Sequence, residues 1–408
     1  MVPNGWERTS FGMLAEFRNG LNFTKSDQGE AIKIVGVADF KDHSSLSSLD
    51  NLGVISVSNT VKDNDLIKSG DVLYVRSNGN KDLIGRCLFF PEVTEKLSFS
   101  GFTIRGRITS KIILPNYLAL LSRSEIVKQQ FLKNGGGTNI SNLSQQILND
   151  IVVPLPAIEE QRKIAKILST WDKAITTTEK LIETSKQQKK ALIQQLLTGK
   201  KRLVNPETGK AFQGEWEEFR LGCLFTERVE TKRGDLPLLS ITSNDGVVYQ
   251  KDTGRKNTSN DDKSKYRRIC VNDIGYNTMR MWQGRSSISD KEGIVSPAYT
   301  ILVPQNNVIP VYGAYLFKLP QLVHVFERNS QGLVSDTWNL KYPHFAKIKW
   351  IFPCCEEQQK IASVLTTADK EIKVLDQKLT HFKQEKKALM QQLLTGKRRV
   401  KVNEMEVA

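Results

Sequence analysis

The stretch KKALIQQLLTGKKRL at residues 189–203 returns as KKALMQQLLTGKRRV at residues 386–400. Sliding the chain against itself by 197 residues aligns 156–202 with 353–399 without a gap, and 26 of these 47 positions are identical. Chance does not give an internal match of this length. The sequence therefore contains two copies of one unit, and this repeat is the starting point for predicting the fold.

The repeated segment has the pattern of a long helix. No proline or glycine occurs from Glu159 to Leu197, whereas Pro156 precedes this stretch and Gly199 follows it, as expected at a helix start and stop. Spacings that alternate between four and three residues indicate a coiled-coil seam, and about forty helical residues would make a rod roughly 60 Å long. The predicted seam comprises Ile164, Leu168, Trp171, Ile175, Thr178, Ile182, Ser185, Lys189, Leu192 and Leu196, and in the second copy Ile361, Leu365, Ala368, Ile372, Leu375, Leu379, Phe382, Lys386, Leu389 and Leu393.

One amphipathic rod cannot bury its own apolar stripe, so we predict that the two helices pair with each other. The bulky Leu375 and Phe382 of the second copy occupy positions where the first copy has the small Thr178 and Ser185. Because the residues between the helices must start at the C-terminal end of the first rod, an antiparallel pair is favoured, with the two non-helical parts at opposite ends. The alternative is that the two helices are unpaired and lie far apart.

The parts before each helix, which we call the first and second bodies, also align, though more weakly. Trp6-Glu7 corresponds to Trp216-Glu217 at a shift of 210, and the shift falls to 202 and then to 197 further along. Short β-type runs alternate with polar turns in both bodies, and each body ends in a helical run, which predicts mixed α/β structure. The predicted class is α+β, with a pseudo-twofold repeat. Its divisions are 1–155 (first body), 156–204 (first helix), 205–352 (second body), and 353–408 (second helix and tail).

Composition indicates a soluble globular chain of 408 residues, 39% hydrophobic and 25% charged. It has no apolar run long enough to span a membrane and no apolar signal core at the N-terminus, so we expect a cytoplasmic protein without a membrane partner. The five cysteines and four histidines are scattered, which argues against a metal site or a disulfide framework.

The net charge of +15 favours a polyanionic partner such as DNA. Residues 159–202 and 356–401 together carry +11 of this charge. A basic surface that only keeps the protein soluble remains the alternative.

Neither body contains a methyl-donor loop, a nuclease motif, a zinc motif or a nucleotide-phosphate loop, so we predict no catalytic residue. Both bodies instead have polar loops next to predicted strands. Arginine can pair with guanine and asparagine or glutamine with adenine in the major groove, so these loops are candidates for reading DNA, although a polar loop without a ligand is an equally good explanation of any one of them. The candidates are Arg76, Asn78, Asn80, Lys81 and Arg86 in the first body and Asn277, Arg280, Gln283 and Arg285 in the second.

The paired segments PLPAIEEQRKIAKIL (154–168) and FPCCEEQQKIASVL (352–365), each running into QQLLTGK, resemble the specificity subunit of a Type I restriction-modification enzyme, a host-defence system, over essentially the whole chain. The resemblance implies that each body is a target recognition domain that reads one half of a bipartite, asymmetric DNA site. The helix pair would set the gap between the half-sites.

The resemblance also implies partners. Two modification subunits would dock on this chain and methylate adenine N6 with S-adenosylmethionine, and restriction subunits would add translocation and cleavage that depend on ATP and Mg²⁺. The chain itself would be non-catalytic and would bind no cofactor. The subunit contacts implied by the repeated motifs are Glu160, Gln161, Leu196, Leu197, Glu357, Gln358, Leu393 and Leu394.

The basic tails after the helices are further candidates for DNA phosphates or for an acidic partner. They are Lys200, Lys201 and Arg202 after the first helix and Lys397, Arg398 and Arg399 after the second. Cations here also suit the negative end of a helix dipole.

Three other functions remain open at this point. A structural protein that only oligomerises through its rods would ignore DNA. A nuclease acting alone would cut DNA with a divalent metal. A specificity subunit could also serve a fused restriction-methylation enzyme, which this sequence cannot distinguish from separate subunits.

Overall fold

The computed structural model describes residues 2–23, 29–40, 44–46, 48–57, 61–134, 142–242, 246–254, 259–333 and 337–402. The chain forms two compact units. Unit 1 consists of Met1–Thr178 with Lys378–Ala408, and unit 2 is Glu179–Gln377. Each unit thus combines one body with parts of both long helices, a division different from the one drawn along the sequence repeat.

Unit 1 begins with a small helix and several strands and continues into the first long helix. Its strands are β1 (Glu7–Ser10), β2 (Ala15–Asn19), β3 (Glu30–Val35), β4 (Gly53–Val57), β5 (Val72–Val75), β6 (Cys87–Phe89), β7 (Leu97–Phe99), β8 (Thr103–Ile108) and β9 (Val152–Leu155). Its helices are α1 (Phe11–Leu14), α2 (Pro115–Ser122), α3 (Glu125–Asn134), α4 (Gln145–Asn149), the first part of α5 (Ile158–Leu196) and the last part of α10 (Cys355–Leu393).

The central sheet of unit 1 has the strand order β2-β8-β5-β6, with all neighbours antiparallel. A second sheet, β4-β3-β7, covers one face of it. All four residues of β5 are buried, because Val72 and Tyr74 pack into the core that contains α2, whereas Leu73 and Val75 pack toward the second sheet. Burial on both faces explains why this strand is apolar at every position.

Unit 2 repeats this architecture with shorter strands. Its strands are β10 (Glu217–Arg220), β11 (Phe225–Glu227), β12 (Leu239–Ile241), β13 (Val247–Tyr249), β14 (Arg267–Ile269), β15 (Ile274–Asn277), β16 (Ser286–Ile288), β17 (Gly293–Val295), β18 (Tyr299–Pro304) and β19 (Lys349–Phe352). Its helices are the last part of α5, α6 (Leu221–Leu224), α7 (Pro310–Leu316), α8 (Pro320–Arg328), α9 (Tyr342–Phe345) and most of α10 (Cys355–Leu393).

The sheet β11-β18-β15-β16 of unit 2 has the same order and the same antiparallel pairing as the central sheet of unit 1. In both units the first strand also pairs with the strand just before the long helix, as β1 with β9 and β10 with β19. The mixed α/β prediction is confirmed for both bodies, and so is the internal repeat.

Helices α5 and α10 each contain 39 residues, as the proline-free and glycine-free pattern predicts. Past the end of each helix stands a glycine with positive φ, Gly199 at 70° and Gly396 at 68°, a conformation that side chains other than glycine rarely adopt. Every position of the predicted seam is buried or half-buried. No helix in the described ranges combines the length and apolar character needed to cross a membrane.

The two helices contact each other side by side within each unit, and they run antiparallel. In unit 1 the rings of Trp171 and Phe382 meet edge to face with centroids 5.6 Å apart, and Lys386 Nζ lies 2.5 Å from Asp172 Oδ1. In unit 2 the equivalent ion pair joins Lys189 Nζ to Asp369 Oδ1 at 2.5 Å. The contacts within each unit are consistent with the predicted antiparallel pairing.

Candidate nucleic-acid interface

The candidate loop of the first body leaves the C-terminal end of β5 and leads to β6. Arg76 is half-buried, and its Nη1 donates to the carbonyl of Gly101 at 3.4 Å. The backbone of Arg76 is held on two sides, because its N–H donates to Phe102 (2.8 Å) and its carbonyl accepts from the N–H of Leu143 (2.8 Å). The start of the loop is therefore fixed in position.

Two asparagines shape the next part of this loop. The side-chain oxygen of Asn78 accepts from the N–H of Asn80 at 2.8 Å, and that of Asn80 accepts from the N–H of Asp82 at 3.0 Å. These bonds use the amide oxygens, so the NH2 groups remain the natural donors to a ligand. A bidentate contact to adenine, which needs both amide atoms, would compete with the turn. Arg86 is exposed, and the side chain of Lys81 lies outside what the structure describes.

The candidate loop of the second body leaves β15 and leads to β16, the strands equivalent to β5 and β6. Backbone bonds close it into a compact turn, with the N–H of Arg280 donating to Asn277 and the N–H of Gln283 to Arg280, both at 3.0 Å. Met281 is fully buried and anchors the turn in the core. Arg280, Gln283 and Arg285 are exposed. The structure therefore brings the predicted residues of this loop together on one rigid turn.

Asn277 has a more structural role than the sequence suggests. It is half-buried, and its side-chain oxygen accepts from the N–H of Met279 at 3.0 Å. Close by, the Nε1 of Trp282 donates to the carbonyl of Met279 (3.0 Å), and the Trp282 ring meets Trp338 edge to face at 5.5 Å. The turn is thus supported from within as well as by Met281.

The basic tail after α5 divides into two kinds of residue. Lys200 and Lys201 are exposed, as a phosphate-binding role requires. Arg202 does not fit that prediction, because its Nε and Nη2 donate to the two carboxylate oxygens of Glu357 at 2.7 and 2.8 Å, and Glu357 is fully buried. Trp216 Nε1 donates to the same carboxylate at 3.3 Å. Arg202 is therefore committed to an internal ion pair.

Unit 1 contains an equivalent cluster made from the other ends of the helices. Arg399 donates twice to Glu160, both bonds at 2.8 Å, and Trp6 Nε1 donates to the same carboxylate at 3.0 Å. The Arg399 guanidinium also lies over the Trp6 ring, 5.6 Å from its centroid. The hydrogen bonds to Glu160 raise the pKa of Arg399, so the guanidinium stays charged. We call these two sites the Glu–Arg–Trp clusters.

The eight motif residues that were expected to contact partner subunits are buried within this chain. All eight are at most 5% exposed and are packed within their own unit: Glu160, Gln161, Leu196, Leu197, Glu357, Gln358, Leu393 and Leu394. The leucines belong to the hydrophobic cores of the two units. A charged or amide side chain at a helix start is usually exposed, so the burial of Glu160, Gln161, Glu357 and Gln358 was not predictable from the sequence.

The two glutamines join each long helix to its body. Gln161 accepts from the N–H of Leu114 (2.9 Å) and donates to the carbonyls of Ile112 (2.8 Å) and Pro156 (2.9 Å). Gln358 makes the same three kinds of bond in unit 2. The N–H of Leu114 at the start of α2 thereby gains a partner, which a helix does not supply for the N–H groups at its own N-terminus.

Sequence reasoning missed both Glu–Arg–Trp clusters, although a signal was present. Each of their three residue types recurs at the equivalent place in the other copy of the repeat. The repeat relates the arginine of one copy to the glutamate of the other, so the partners lie far apart along the chain and no local pattern joins them.

Chemically, the two candidate loops offer cations and hydrogen-bond donors on fixed turns. Among the described residues no group of three or more His, Cys, Asp or Glu side chains could hold a metal ion. Such loops can recognise an anionic, hydrogen-bonding surface such as duplex DNA.

The fold and these loops define an internally duplicated basic protein that presents two different polar surfaces from equivalent strand ends. The chain belongs to the family described as the Type I restriction modification DNA specificity domain, whose profile matches residues 3–186 and 213–383. The expected family is thereby confirmed for both copies of the repeat.

Named relatives and solved structures agree with this family. The chain is 26% identical over 429 residues to a putative type I restriction enzyme MjaX specificity subunit of Methanocaldococcus jannaschii, covering 98% of this chain and 95% of the relative. It is 28% identical over 305 residues to the MjaVIII specificity subunit of the same organism, covering 67% and 69%.

Its fold is similar to the HsdS subunit from Thermoanaerobacter tengcongensis (TM-score 0.51, 16% identity, 97% of this chain and 98% of that one). It is also similar to the S subunit of a Type-I restriction-modification system from M. genitalium (TM-score 0.56, 13% identity, 97% and 98%).

Proposed function

We propose that this chain is the non-catalytic DNA sequence-recognition subunit of a Type I restriction-modification complex. Family membership across both copies of the repeat supports this function. The two bodies, residues 1–155 and 205–352, act as target recognition domains, and each reads one half of a bipartite, asymmetric site. Because its ligand is DNA, we expect the protein to work in the cytoplasm.

One structural observation carries the proposal for two different half-sites. The same four-stranded sheet occurs in both units, and the loop after the equivalent strand, β5 or β15, carries different side chains. A shared scaffold with different reading residues suits a site whose two halves differ in sequence. Arg280 and Arg285 are exposed and are of the residue type that pairs with guanine, and the exposed Gln283 is of the type that pairs with adenine.

The paired helices would set the gap between the half-sites. We propose that two modification subunits bind the chain, using surface residues of the helices other than the buried motif residues. These partners supply adenine-N6 methylation with S-adenosylmethionine, and restriction subunits joined through them supply ATP-dependent and Mg²⁺-dependent cleavage. No step of that chemistry is assigned to a residue of this chain.

The exposed Lys200 and Lys201 fit a sequence-independent role at DNA phosphates. Such contacts would strengthen binding to any duplex and make it sensitive to salt. Recognition of particular bases would come from the loops of the two bodies. The two kinds of contact can therefore be separated experimentally.

The test is co-expression with the neighbouring modification subunit, followed by single-molecule mapping of N6-methyladenine in the host DNA. We expect a split motif of two short half-sites with a fixed gap, which disappears when this gene is deleted. A stable complex that leaves the methylation pattern unchanged would contradict the proposal and favour a structural role. The gene neighbourhood decides between separate and fused partners.

A further inference from the structure

Phe102 is 64% exposed, more than any other aromatic side chain in the described part of the chain. It lies in the turn between β7 and β8 of the first body. A single exposed apolar residue is ordinary on a protein surface and needs no explanation by itself. What distinguishes Phe102 is how its turn is held and what lies beside it.

The turn that carries Phe102 is fastened on both sides. The N–H of Gly101 donates to the carbonyl of Leu21 at 2.7 Å, and the N–H and hydroxyl of Thr103 both donate to Ser100, at 2.9 and 2.7 Å. A Cβ on Gly101 would lie 2.1 Å from the side-chain oxygen of Asn22, which would have to move, and 3.3 Å from the carbonyl oxygen of Leu21. The backbone under the ring is therefore rigid, which lowers the entropy lost on binding.

The same turn is bonded to the start of the candidate reading loop. The carbonyl of Phe102 accepts from the N–H of Arg76 at 2.8 Å, and the Arg76 guanidinium reaches the neighbouring carbonyl of Gly101. Phe102 thus stands next to the polar residues that follow β5. An apolar ring at the edge of a polar reading surface has a matching partner on DNA, since thymine methyl groups and the faces of the bases are apolar whereas phosphates are not.

The second body supplies an internal comparison. In the turn between β17 and β18 the carbonyl of Ala298 accepts a hydrogen bond from the N–H of Thr278 at 3.1 Å. This bond corresponds to the one that the carbonyl of Phe102 accepts from the N–H of Arg76. The scaffold is therefore the same, with a methyl group in place of the phenyl ring. Because this turn forms without an aromatic side chain, the ring of Phe102 is a property of one body and not a requirement of the fold.

We propose that Phe102 is a specificity-determining residue of the first body, which packs on an apolar surface of a DNA base in its half-site. The inference rests on the proposed function and adds an apolar contact to the hydrogen bonds of the loop. The apolar surface of the base is either the methyl group of a thymine or the face of the base ring.

The test uses Phe102→Ala in the full complex with its modification subunits, with Met13→Ala, another exposed apolar residue of the first body (71%), as the matched control. Binding is measured by fluorescence anisotropy on a duplex that carries the mapped motif and on a scrambled duplex. We expect Phe102→Ala to weaken binding to the motif about tenfold or more and to leave binding to the scrambled duplex unchanged. Met13→Ala should change neither.

Modified duplexes distinguish the two apolar sources. If the contact is a methyl group, replacing one thymine of the half-site by uracil should reproduce the loss, and Phe102→Ala should add nothing on that duplex. If the contact is a ring face, the uracil series should have no effect, and 2-aminopurine placed in the half-site should change its fluorescence with the wild type but not with the variant.

Several results would overturn the inference. Unchanged affinity for the motif would do so, as would an equal loss on both duplexes, which would indicate a contact without sequence preference. Loss of the modification subunits from the variant on gel filtration would reassign Phe102 to a subunit contact. A wild-type complex that binds the motif and the scrambled duplex equally well would instead count against the proposed function itself, so the two failures are distinguishable.

Discussion

Glu160 and Arg399 are separated by 239 positions in the chain, yet both carboxylate oxygens of Glu160 accept hydrogen bonds from the Arg399 guanidinium. Glu160 stands in the first turn of α5, and Arg399 lies just beyond the end of α10. The pair therefore ties the start of one long helix to the tail of the other within unit 1. Glu357 and Arg202 form the equivalent tie in unit 2.

Removing the arginine of either cluster should destabilise its unit. Arg202→Ala leaves the Glu357 carboxylate buried with the indole N–H of Trp216 as its remaining partner, which should cost about 3 kcal/mol of unfolding free energy. Arg399→Ala should cost less, about 2 kcal/mol, because the Arg399 side chain is 44% exposed and more screened by water. Urea denaturation of the full chain measures both losses.

Neighbouring residues provide the controls for this prediction. Lys201→Ala and Arg398→Ala remove the same charge from exposed positions and should change stability by less than about 0.5 kcal/mol. Equal losses for Arg202→Ala and Lys201→Ala would show that net charge matters here and not the buried ion pair.

The glutamine that joins α10 to the second body should be equally sensitive. Gln358→Leu keeps the size of the side chain but leaves the N–H of Ile309 and the carbonyls of Asn307 and Pro353 without this partner. We expect a loss of about 2 to 4 kcal/mol, measured by thermal or urea unfolding. The adjacent Gln359 is exposed, so Gln359→Leu is the matched control and should be close to neutral. Similar effects of the two changes would contradict the structural role of Gln358.

A charge swap tests the antiparallel register of the helices in unit 1. Asp172→Lys alone places two cations together with Lys386, and Lys386→Asp alone places two carboxylates together, so each single variant should be less stable than the wild type. The double variant should recover much of the loss, with a coupling free energy of up to about 1 kcal/mol for this partly exposed pair. Simple additivity of the two single losses in a double-mutant cycle would argue against the pairing.

Arg280 tests base reading by the second body. Its side chain is exposed on the turn anchored by Met281, so Arg280→Ala should leave the fold intact. If it pairs with guanine, its loss should cost about 1 to 3 kcal/mol of binding and relax the methylated motif at one position of one half-site. Methylome sequencing of the host carrying this variant gives the answer. A motif that keeps every position would remove Arg280 from the reading residues.

Lys200 should behave differently from Arg280. Lys200→Ala should weaken binding to the motif and to a scrambled duplex by the same factor, because a phosphate contact carries no sequence information. The slope of log affinity against log salt should become shallower by about one. Anisotropy titrations at several salt concentrations measure both effects, and an unchanged slope would place Lys200 away from the phosphates.

Much of the fold followed from the sequence because its signals are periodic or repeated. The gap-free shift of 197 residues and the seam spacing predicted both long helices, and the small-against-large pattern of Ser185 and Phe382 favoured their pairing. The short β-type runs predicted mixed α/β structure in both bodies, and both units contain such sheets. Strands such as β1 and β10 were missed because they are short and each finds its partner more than a hundred residues away.

The candidate site was less accessible to sequence reasoning. Arg280 and Arg202 look alike in the sequence, because each is an arginine in a polar stretch. In the structure Arg280 is exposed, whereas Arg202 is paired with the buried Glu357. The same holds for Glu160, whose burial depends on Trp6 and Arg399 from the two ends of the chain. Phe102 was missed because an apolar residue in a strand-rich region is usually part of a core.

The division of the chain into units also has a consequence for its synthesis. Unit 2 is one continuous stretch, whereas unit 1 needs Met1–Thr178 and Lys378–Ala408 together. A ribosome adding about 5 to 20 residues per second would need roughly 10 to 40 s to make the stretch between these two parts. During that time Glu160 and Trp6 have been synthesised but Arg399, their partner in unit 1, has not. The half of the protein that starts emerging earlier is therefore the half that can be completed last.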